Sequence, residues 1–221
     1  MALALLKGDA ATSDMGEPFK TLGRFRLVEL IGRGGMGEVW LGLDPEVMQP
    51  RAIKVLLPDV ASNPRFVASF RREADVGKQL ALNPSIVAVH GLHEALIGDP
   101  ACPERVLFLV LDFVDGVNLR RLADRYHRVH GKRLPIPLVV HLVRAMLRAL
   151  EAAHTHAVGE NPLPVVHGDV NPSNVLISSR GDVRMTDFGI SRFAPEPVFV
   201  SRPVGTLPYM APEQYLGRIC Q

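Results

Sequence analysis

Two short motifs constrain this chain of 221 residues more than any other feature of its sequence. The first runs His-Gly-Asp-Val-Asn-Pro-Ser-Asn over residues 167–174, and the second is Asp-Phe-Gly at residues 187–189. In the first motif, Asp169 and Asn174 lie five residues apart on a loop that Pro172 stiffens. Single aspartates and asparagines in such loops are commonly turn formers. The ordered set of two acids and an amide nevertheless indicates a functional site.

The residues between the two motifs predict a β-hairpin. Residues 175–177 are typical of a short buried strand, residues 178–182 of a turn, and residues 183–186 of the returning strand. This hairpin would bring Asp187 back beside Asn174. One carboxylate can then orient a hydroxyl group, while the amide and the second carboxylate offer the oxygen ligands that Mg²⁺ takes. The stretch therefore predicts a site for a phosphate and its metal ion.

Composition excludes several other classes of protein. The chain has 25 basic and 23 acidic residues, a net charge of +2, which predicts no nucleic-acid or membrane partner. Cys102 and Cys220 are the only cysteines, and they form neither a metal-binding pattern nor a disulfide framework. No segment approaches the roughly 20 apolar residues that cross a bilayer. We therefore expect a cytoplasmic protein.

A glycine-rich hairpin is predicted near the start of the chain. Strand-like residues 25–31 lead into Gly-Arg-Gly-Gly-Met-Gly at residues 32–37, and residues 38–41 return as a strand. Glycines let a backbone approach a phosphate closely, although the same spacing also occurs in plain flexible turns. A dinucleotide-binding fold is excluded because it requires a helix directly after the glycines.

A lysine and a glutamate form a second candidate pair. Lys54 lies in the middle of an apolar strand at residues 51–57, and Asn63 caps a helix predicted over residues 65–80. Glu73 falls on the apolar face of that helix. A buried lysine costs free energy unless it is paired with an anion, so we expect the two side chains to meet. A solvent-facing lysine and a solvated glutamate remain open as alternatives.

The rest of the chain predicts two more strands and then mostly helices. Short strands are expected at residues 86–89 and 106–111, and Gly116 marks a break between two lobes. Helices are expected from Asn118 to near Gly131 and over residues 137–156. The first of these helices carries many arginines, which fit a basic docking face but are more often a solvated surface.

Taken in this order, the motifs resemble the catalytic domain of eukaryotic-like protein kinases, especially bacterial serine/threonine kinases. The resemblance implies an α+β, two-lobed fold, with a small antiparallel β lobe that carries one helix and a mostly α-helical second lobe. It implies a flexible lead-in at residues 1–21, an N-lobe at 22–115 and a partial C-lobe at 116–221. The implied function is ATP- and Mg²⁺-dependent transfer of the γ-phosphate to serine or threonine hydroxyls of a protein substrate.

The resemblance also implies roles for single residues. Lys54, held by Glu73, would contact the α- and β-phosphates, and Asp169 would accept the proton of the substrate hydroxyl. Asn174 and Asp187 would hold Mg²⁺. The implied nucleotide-binding residues are Ile31, Gly32, Gly34, Gly35, Gly37, Val39, Ala52, Lys54, Leu111, Asp112, Val114 and Leu176. The implied activation segment contains Ser201, Thr206 and Glu213.

Within the nucleotide-binding set, three side chains would sandwich the adenine: those of Val39, Ala52 and Leu176. Leu111 would close the back of the pocket. Backbone groups of Asp112 and Val114 would bond the edge of the base.

Three positions depart from the family pattern. Gly168 replaces the usual arginine before the catalytic aspartate, so activity should depend little on phosphorylation of the activation loop, where Ser201 is the nearest candidate. Asn171 replaces a lysine, which predicts slower phosphoryl transfer and a rate gain in Asn171→Lys. Gly77, one turn after Glu73, is expected to pack against nothing and to let the helix swing outward.

The chain also ends eight residues after Glu213, whereas the family continues with several helices. We therefore expect a truncated C-lobe and an exposed apolar face on the helix at residues 137–156. Two alternatives stay open. His-Gly-Asp also resembles the catalytic loop of small-molecule phosphotransferases of the aminoglycoside or choline type. The substitutions at Asn171 and Gly77 also fit a non-catalytic nucleotide-binding scaffold.

Overall fold

Six antiparallel strands form the larger of two sheets in this computed structural model, which describes residues 21–99, 101–155, 165–188 and 207–212. The strands are β1 (Thr21–Leu22), β2 (Phe25–Arg33), β3 (Gly37–Asp44), β4 (Gln49–Leu56), β5 (Val89–Ile97) and β6 (Glu104–Asp112). They lie in the order β1-β2-β3-β4-β6-β5. The lead-in predicted at residues 1–21 lies outside the described residues, except for Thr21, which opens β1.

The strand predicted at residues 86–89 is wrong for most of its length. Its first residue forms only an isolated bridge with Met185, and β5 begins at Val89. The carbonyl of Ala88 accepts a hydrogen bond from the N–H of Asp112 at 2.9 Å. These apolar residues are buried where the chain passes between the two sheets. The apolar run at residues 86–88 therefore belongs to a buried connection and not to a strand.

Helix α2 (Pro64–Gln79) follows the short helix α1 (Pro58–Ala61) and begins where the sequence predicts. The Asn63 side chain accepts a hydrogen bond from the Arg65 N–H at 3.0 Å. The buried residues of α2 are Phe70, Glu73, Ala74 and Gly77. Glu73 therefore lies on the inward face, and the alternative of a solvated glutamate is wrong.

Gly77 makes a close contact that the sequence did not suggest. A Cβ atom placed on Gly77 would lie 2.1 Å from Cγ2 of Val89, far inside van der Waals contact. The expectation that Gly77 packs against nothing is therefore wrong. Its missing side chain lets α2 approach β5, and this close packing holds the helix against the sheet one turn from Glu73.

Helix α3 (Leu119–His130) has both of its predicted caps. The Asn118 side chain accepts a hydrogen bond from the Arg121 N–H at 2.8 Å. At the other end, Gly131 adopts a φ of 63°, a left-handed conformation that glycine reaches without a Cβ clash.

Helix α4 (Ile136–Thr155) has one buried and one exposed apolar face. Ala149 and Ala153 are fully buried in a cluster with Phe188. On the other side, Ile136 is 78% and Leu147 is 58% exposed. Val139, Val140 and Val143 are exposed as well. The exposed apolar face predicted for this helix is therefore confirmed.

A second antiparallel sheet contains the predicted hairpin. Its strands are β7 (Gly116–Asn118), β8 (Val175–Ser178) and β9 (Val183–Met185), in the order β7-β8-β9. The hairpin of β8 and β9 is confirmed, whereas β7 was not predicted. The Thr186 N–H donates to the Asn174 carbonyl at 3.1 Å, so the chain returns to Asn174 directly before Asp187. Within these described segments, no helix combines the length and apolar character needed to cross a membrane.

Candidate active site

Lys54 lies at the centre of the candidate site and contacts two carboxylates. Its Nζ atom is 2.6 Å from Oε1 of Glu73 and 2.8 Å from Oδ1 of Asp187. Lys54 comes from β4, Glu73 from the buried face of α2, and Asp187 from the loop after β9. One cation therefore joins the larger sheet, its helix and the second motif, and the alternative of a solvent-facing lysine is wrong.

Burial and charge act in opposite directions on these three groups. Burial lowers the pKa of Lys54, but the adjacent carboxylates of Asp187 and Glu73 outweigh it and raise that pKa above its ordinary value. Burial likewise opposes ionisation of Asp187, but the Lys54 ammonium holds the pKa of Asp187 below its ordinary value. For Glu73, burial prevails and raises the pKa to about 7. Asp187 is thus firmly ionised, whereas Glu73 titrates near neutral pH.

The carboxylate of Asp169 is held by the side chain of Asn174. The Asn174 amide nitrogen donates to Oδ2 of Asp169 at 3.0 Å and to the Asp169 carbonyl at 2.9 Å. A 3-10 turn at Pro172–Asn174 brings the two residues together. Because the amide nitrogen is directed toward Asp169, the amide oxygen is the atom of this side chain that is left for a metal ion.

His167 connects the two motifs through both of its ring nitrogens. Nδ1 accepts a hydrogen bond from the Asp169 N–H at 3.2 Å, and Nε2 lies 3.0 Å from the Thr186 carbonyl. The ring also packs against Phe188, with 4.5 Å between ring centres. The two polar contacts require a neutral ring that carries its proton on Nε2. Burial favours this form, because it lowers the pKa of His167.

The side chain of Asn171 is part of the loop's internal bonding. Its Oδ1 accepts from the Ser173 N–H at 2.8 Å, and its Nδ2 donates to the Asp169 carbonyl at 3.2 Å. Asn171 is also buried. These two hydrogen bonds were not predicted from the sequence, where Asn171 was considered only as a replacement for a lysine. The rate gain expected for Asn171→Lys stays a prediction, and the substitution would also remove these two bonds.

The backbone of Asp187 is strained, with a φ of 64°. Non-glycine residues rarely adopt this left-handed conformation, and they keep it where surrounding contacts hold them. Here the contact with Lys54 fixes the side chain. The Asp187 carboxylate and the Asn174 amide oxygen are both hard oxygen ligands, and the loop that carries Asp187 is bonded to Asn174. The donor set therefore fits Mg²⁺.

The glycine-rich segment forms the predicted hairpin of β2 and β3. Ile31 and Gly32 lie in β2, Gly34 and Gly35 lie in the turn, and Gly37 opens β3. The turn is closed by a hydrogen bond from the Gly34 N–H to the Gly37 carbonyl at 2.9 Å. A Cβ atom at Gly37 would lie 2.1 Å from a backbone carbonyl oxygen of β4, so only glycine fits at this position.

Apolar side chains from both sheets meet where the sequence predicts an adenine pocket. Leu111, near the end of β6, is buried, and Ala52, Val114 and Leu176 pack against the same cluster. Val39 is half-buried on the neighbouring strand β3. Among the residues that the structure describes, the backbone of Val114 forms no hydrogen bond, so its N–H and carbonyl are available to a ligand.

Three basic side chains converge on Asp112, the last residue of β6. Arg51 and His90, from β4 and β5, lie 3.3 Å and 2.7 Å from Oδ1. Arg184, from β9 in the smaller sheet, lies 3.2 Å from Oδ2. The Asp112 N–H is bonded to Ala88, so only its carbonyl is left for the edge of a base. This cluster was not predicted from the sequence, because its members are far apart along the chain.

The predicted activation-segment residues Ser201, Thr206 and Glu213 lie outside the described residues, as does Gly189 of the second motif. The described part of that region contains a 3-10 turn at Leu207–Tyr209. The guanidinium of Arg120 lies 5.8 Å from the centre of the Tyr209 ring, and its Nε donates to Oγ of Ser173 at 3.1 Å.

Residues 25–218 match the protein kinase domain family. The chain belongs to this family, whose members use ATP together with a divalent metal ion. A crystal structure of the PknI kinase domain of Mycobacterium tuberculosis is similar to this chain, with a TM-score of 0.64 and 30% identity. The match covers 91% of this chain and 67% of the PknI chain. The family and the fold class predicted from the sequence are therefore confirmed.

Curated relatives are bacterial serine/threonine-protein kinases. PknA of Mycobacterium tuberculosis is 37% identical over 197 residues, which cover 88% of this chain and 42% of PknA. A probable serine/threonine-protein kinase of Streptomyces coelicolor is 34% identical over 207 residues, which cover 92% of this chain and 28% of that protein. The chain thus spans less than half the length of these two relatives.

Proposed function

We propose that this chain transfers the γ-phosphate of ATP to serine or threonine hydroxyls of proteins, with Mg²⁺ as the metal ion. One observation carries the proposal: Lys54 is bonded to Glu73, the ion pair that protein kinases require, and also to Asp187, the aspartate whose counterpart in kinases holds Mg²⁺. In this proposal, residues 22–115 and 116–221 act as the two lobes around the nucleotide. The cytoplasmic location expected from the sequence stays a prediction.

Asp169 is the proposed general base. It would orient the acceptor hydroxyl and take its proton while the hydroxyl oxygen bonds to the γ-phosphorus and the bond from phosphorus to the ADP oxygen breaks. The amide of Asn174 holds the carboxylate at 3.0 Å, and His167 holds the backbone N–H of the same residue at 3.2 Å. Base catalysis of this kind contributes roughly 10²–10⁴ in rate.

Lys54 is the proposed ligand of the α- and β-phosphates, with the glycine-rich turn of residues 32–37 folded over them. The adenine would lie against the apolar cluster around Leu111. Asn174 and Asp187 would hold Mg²⁺, which when bound neutralises the charge that develops on the phosphates. The Lys54 contact with Glu73 supports this role, because it fixes a long side chain at one point between helix and sheet.

The experiment is an assay of γ-phosphate transfer from labelled ATP in Mg²⁺, with protein acceptors and a panel of aminoglycosides offered side by side. We expect label on serine or threonine of protein, and its loss in Asp169→Asn. Label on the small molecules alone would overturn the proposal in favour of a small-molecule phosphotransferase, the alternative that the His-Gly-Asp motif with Gly168 suggested. Nucleotide binding without any transfer of phosphate would favour the alternative of a non-catalytic scaffold.

A further inference from the structure

The segment of residues 117–133, which contains α3, concentrates positive charge. It has six basic residues and one acidic residue, a net charge of +5 in a chain whose total is +2, so the remainder carries −3. The basic residues, all exposed, are Arg120, Arg121, Arg125, Arg128, Lys132 and Arg133. A solvated helix face explains many such segments, so a role in recognition requires a contact with a functional site.

Arg120 has that contact. Its Nε donates to Oγ of Ser173 at 3.1 Å, and Ser173 is the neighbour of Asn174, whose amide holds Asp169. The guanidinium also lies 5.8 Å from the centre of the Tyr209 ring, within the range of a cation–π contact. Among the described residues, no carboxylate forms an ion pair with Arg120, whose guanidinium is exposed.

The distance between this charge and the proposed base is short. Ser173 is four residues from Asp169, so their Cα atoms are at most roughly 14 Å apart even in a fully extended chain. A substrate segment in extended conformation advances about 3.3 Å per residue. Side chains roughly two to four positions from the phosphorylated residue could therefore reach the guanidinium of Arg120.

We propose that Arg120 is a specificity-determining residue that selects protein segments with an acidic side chain about two to four positions from the phosphorylated serine or threonine. This inference rests on the proposed function, because it places the acceptor hydroxyl at Asp169. Two of the five donors of a guanidinium can bind a carboxylate side by side while another stays on Ser173. The neighbouring basic residues of α3 would add long-range attraction for the same segment.

The test uses pairs of short serine peptides that carry either aspartate or asparagine at the same positions, two to four residues before or after the serine. The ratio of kcat/KM for the two members of a pair is measured for the 221-residue chain and its variants. We expect roughly a three- to tenfold preference for the aspartate peptide on one side of the serine, the size of a partly exposed ion pair. The preference should shrink as salt is raised.

Three variants distinguish a direct contact between Arg120 and the peptide from attraction by the net positive charge of α3. Arg120→Glu should abolish or reverse the preference, and Arg120→Lys should keep only part of it, because the charge is retained but the side-by-side donors and the Nε bond to Ser173 are lost. Arg128→Glu makes the same change in net charge eight residues further along α3, about 12 Å along the helix axis. It should therefore leave the ratio nearly unchanged at physiological salt.

Peptide binding gives a second measurement that does not require turnover. Fluorescence anisotropy of the labelled peptides, with Mg²⁺ and a non-hydrolysable ATP analogue present, should show the same ratio of Kd and the same loss in Arg120→Glu. Phosphorylation of both peptides with equal kcat/KM would overturn this inference and leave the proposed function intact. Equal Kd values in wild type and Arg120→Glu would also overturn it, and no phosphorylation of any peptide or protein would count against the proposed function.

Discussion

Lys54 and Asp187 are in direct contact although 133 residues separate them, with 2.8 Å between Nζ and Oδ1. The same ammonium is 2.6 Å from Glu73. A strand of the larger sheet, the helix α2 and the loop that follows β9 are therefore joined at one cation. Movement of α2 or of that loop would break one of these two bonds. Both bonds are therefore present only when the three elements of the site are in place.

The pH dependence of stability should depend on Glu73. Burial raises the pKa of this carboxyl from 4.5 to about 7, so between these values the folded protein keeps a proton that the unfolded chain has lost. Stability should therefore fall as pH rises through this window. In Glu73→Gln the fall should be absent. We expect the free energy of unfolding of wild type to drop, relative to the variant, by on the order of 2 kcal/mol from pH 5 to pH 8.

The comparison with the variant matters because His167 titrates in the same window with the opposite sign. Burial lowers the pKa of His167, so its contribution to stability increases as pH rises toward neutrality. Lys54 and Asp187 contribute little there, because their pKa values are shifted away from neutral pH. Urea unfolding of both proteins across this range is the measurement, and parallel curves would show that Glu73 does not titrate as described.

Gly77→Ala should destabilise the protein. Alanine normally improves a helix by roughly 0.5–1 kcal/mol over glycine, but here its Cβ would lie 2.1 Å from Cγ2 of Val89. We expect a net loss of about 1–3 kcal/mol, as for other overpacked cores. Activity should fall as well, because α2 would be displaced one turn from Glu73.

The double variant Gly77→Ala with Val89→Ala is the control for this clash. Shortening Val89 removes its two Cγ atoms and leaves its Cβ, which would lie 2.8 Å from the new Cβ, so the clash is relieved in part and the two changes should be coupled by about 1 kcal/mol in a double-mutant cycle. A stabilised Gly77→Ala protein, or additive effects of the two changes, would contradict the packing described for Gly77.

The ion pair of Arg184 with Asp112 should influence nucleotide affinity. It links β9 of the smaller sheet to β6 of the larger one at 3.2 Å, beside the proposed adenine pocket. Arg184→Gln should raise KM for ATP by a few fold, a modest effect because both side chains are partly exposed. Arg51→Gln removes a partner of the same carboxylate within the larger sheet, and should leave KM for ATP within about twofold. Equal effects of the two variants would contradict a role for the link between sheets.

Asn171 should be required for the geometry of Asp169. Asn171→Ala removes the bonds to the Asp169 carbonyl and the Ser173 N–H, whereas Asn171→Asp keeps only the acceptor for Ser173. We expect both variants to lower kcat more than they raise KM for ATP, and the alanine variant to lose about 1–3 kcal/mol of stability from the unpaired groups. Full activity of Asn171→Ala at unchanged stability would show that the bonding of Asn171 is dispensable.

Local chemistry explains which parts of this fold were predictable from the sequence. The caps at Asn63 and Asn118 and the hairpin of β8 and β9 depend on neighbouring residues, so the order of residue types was sufficient. The contact of Lys54 with Glu73 was also predictable, because a charge on each of two apolar surfaces requires a partner.

Features that depend on distant parts of the chain were not predictable. Gly77 looked like a weak point in a helix, because nothing local to it indicates that Val89 packs there. Likewise, the cluster on Asp112 brings together residues from four strands of two sheets, and its separations of 22, 61 and 72 residues leave no periodic pattern. His167 was part of a motif, but its bridging contacts became visible only in the folded loop.

The most direct test of the proposed activity compares wild type with Asp169→Asn in single-turnover transfer of the γ-phosphate to serine or threonine. Affinity for Mg²⁺ and ATP is measured alongside. We expect nucleotide and Mg²⁺ binding within about twofold of wild type, and transfer roughly 100-fold slower or more in the variant. Transfer at the wild-type rate by Asp169→Asn, or no transfer to protein by wild type despite tight nucleotide binding, would contradict it.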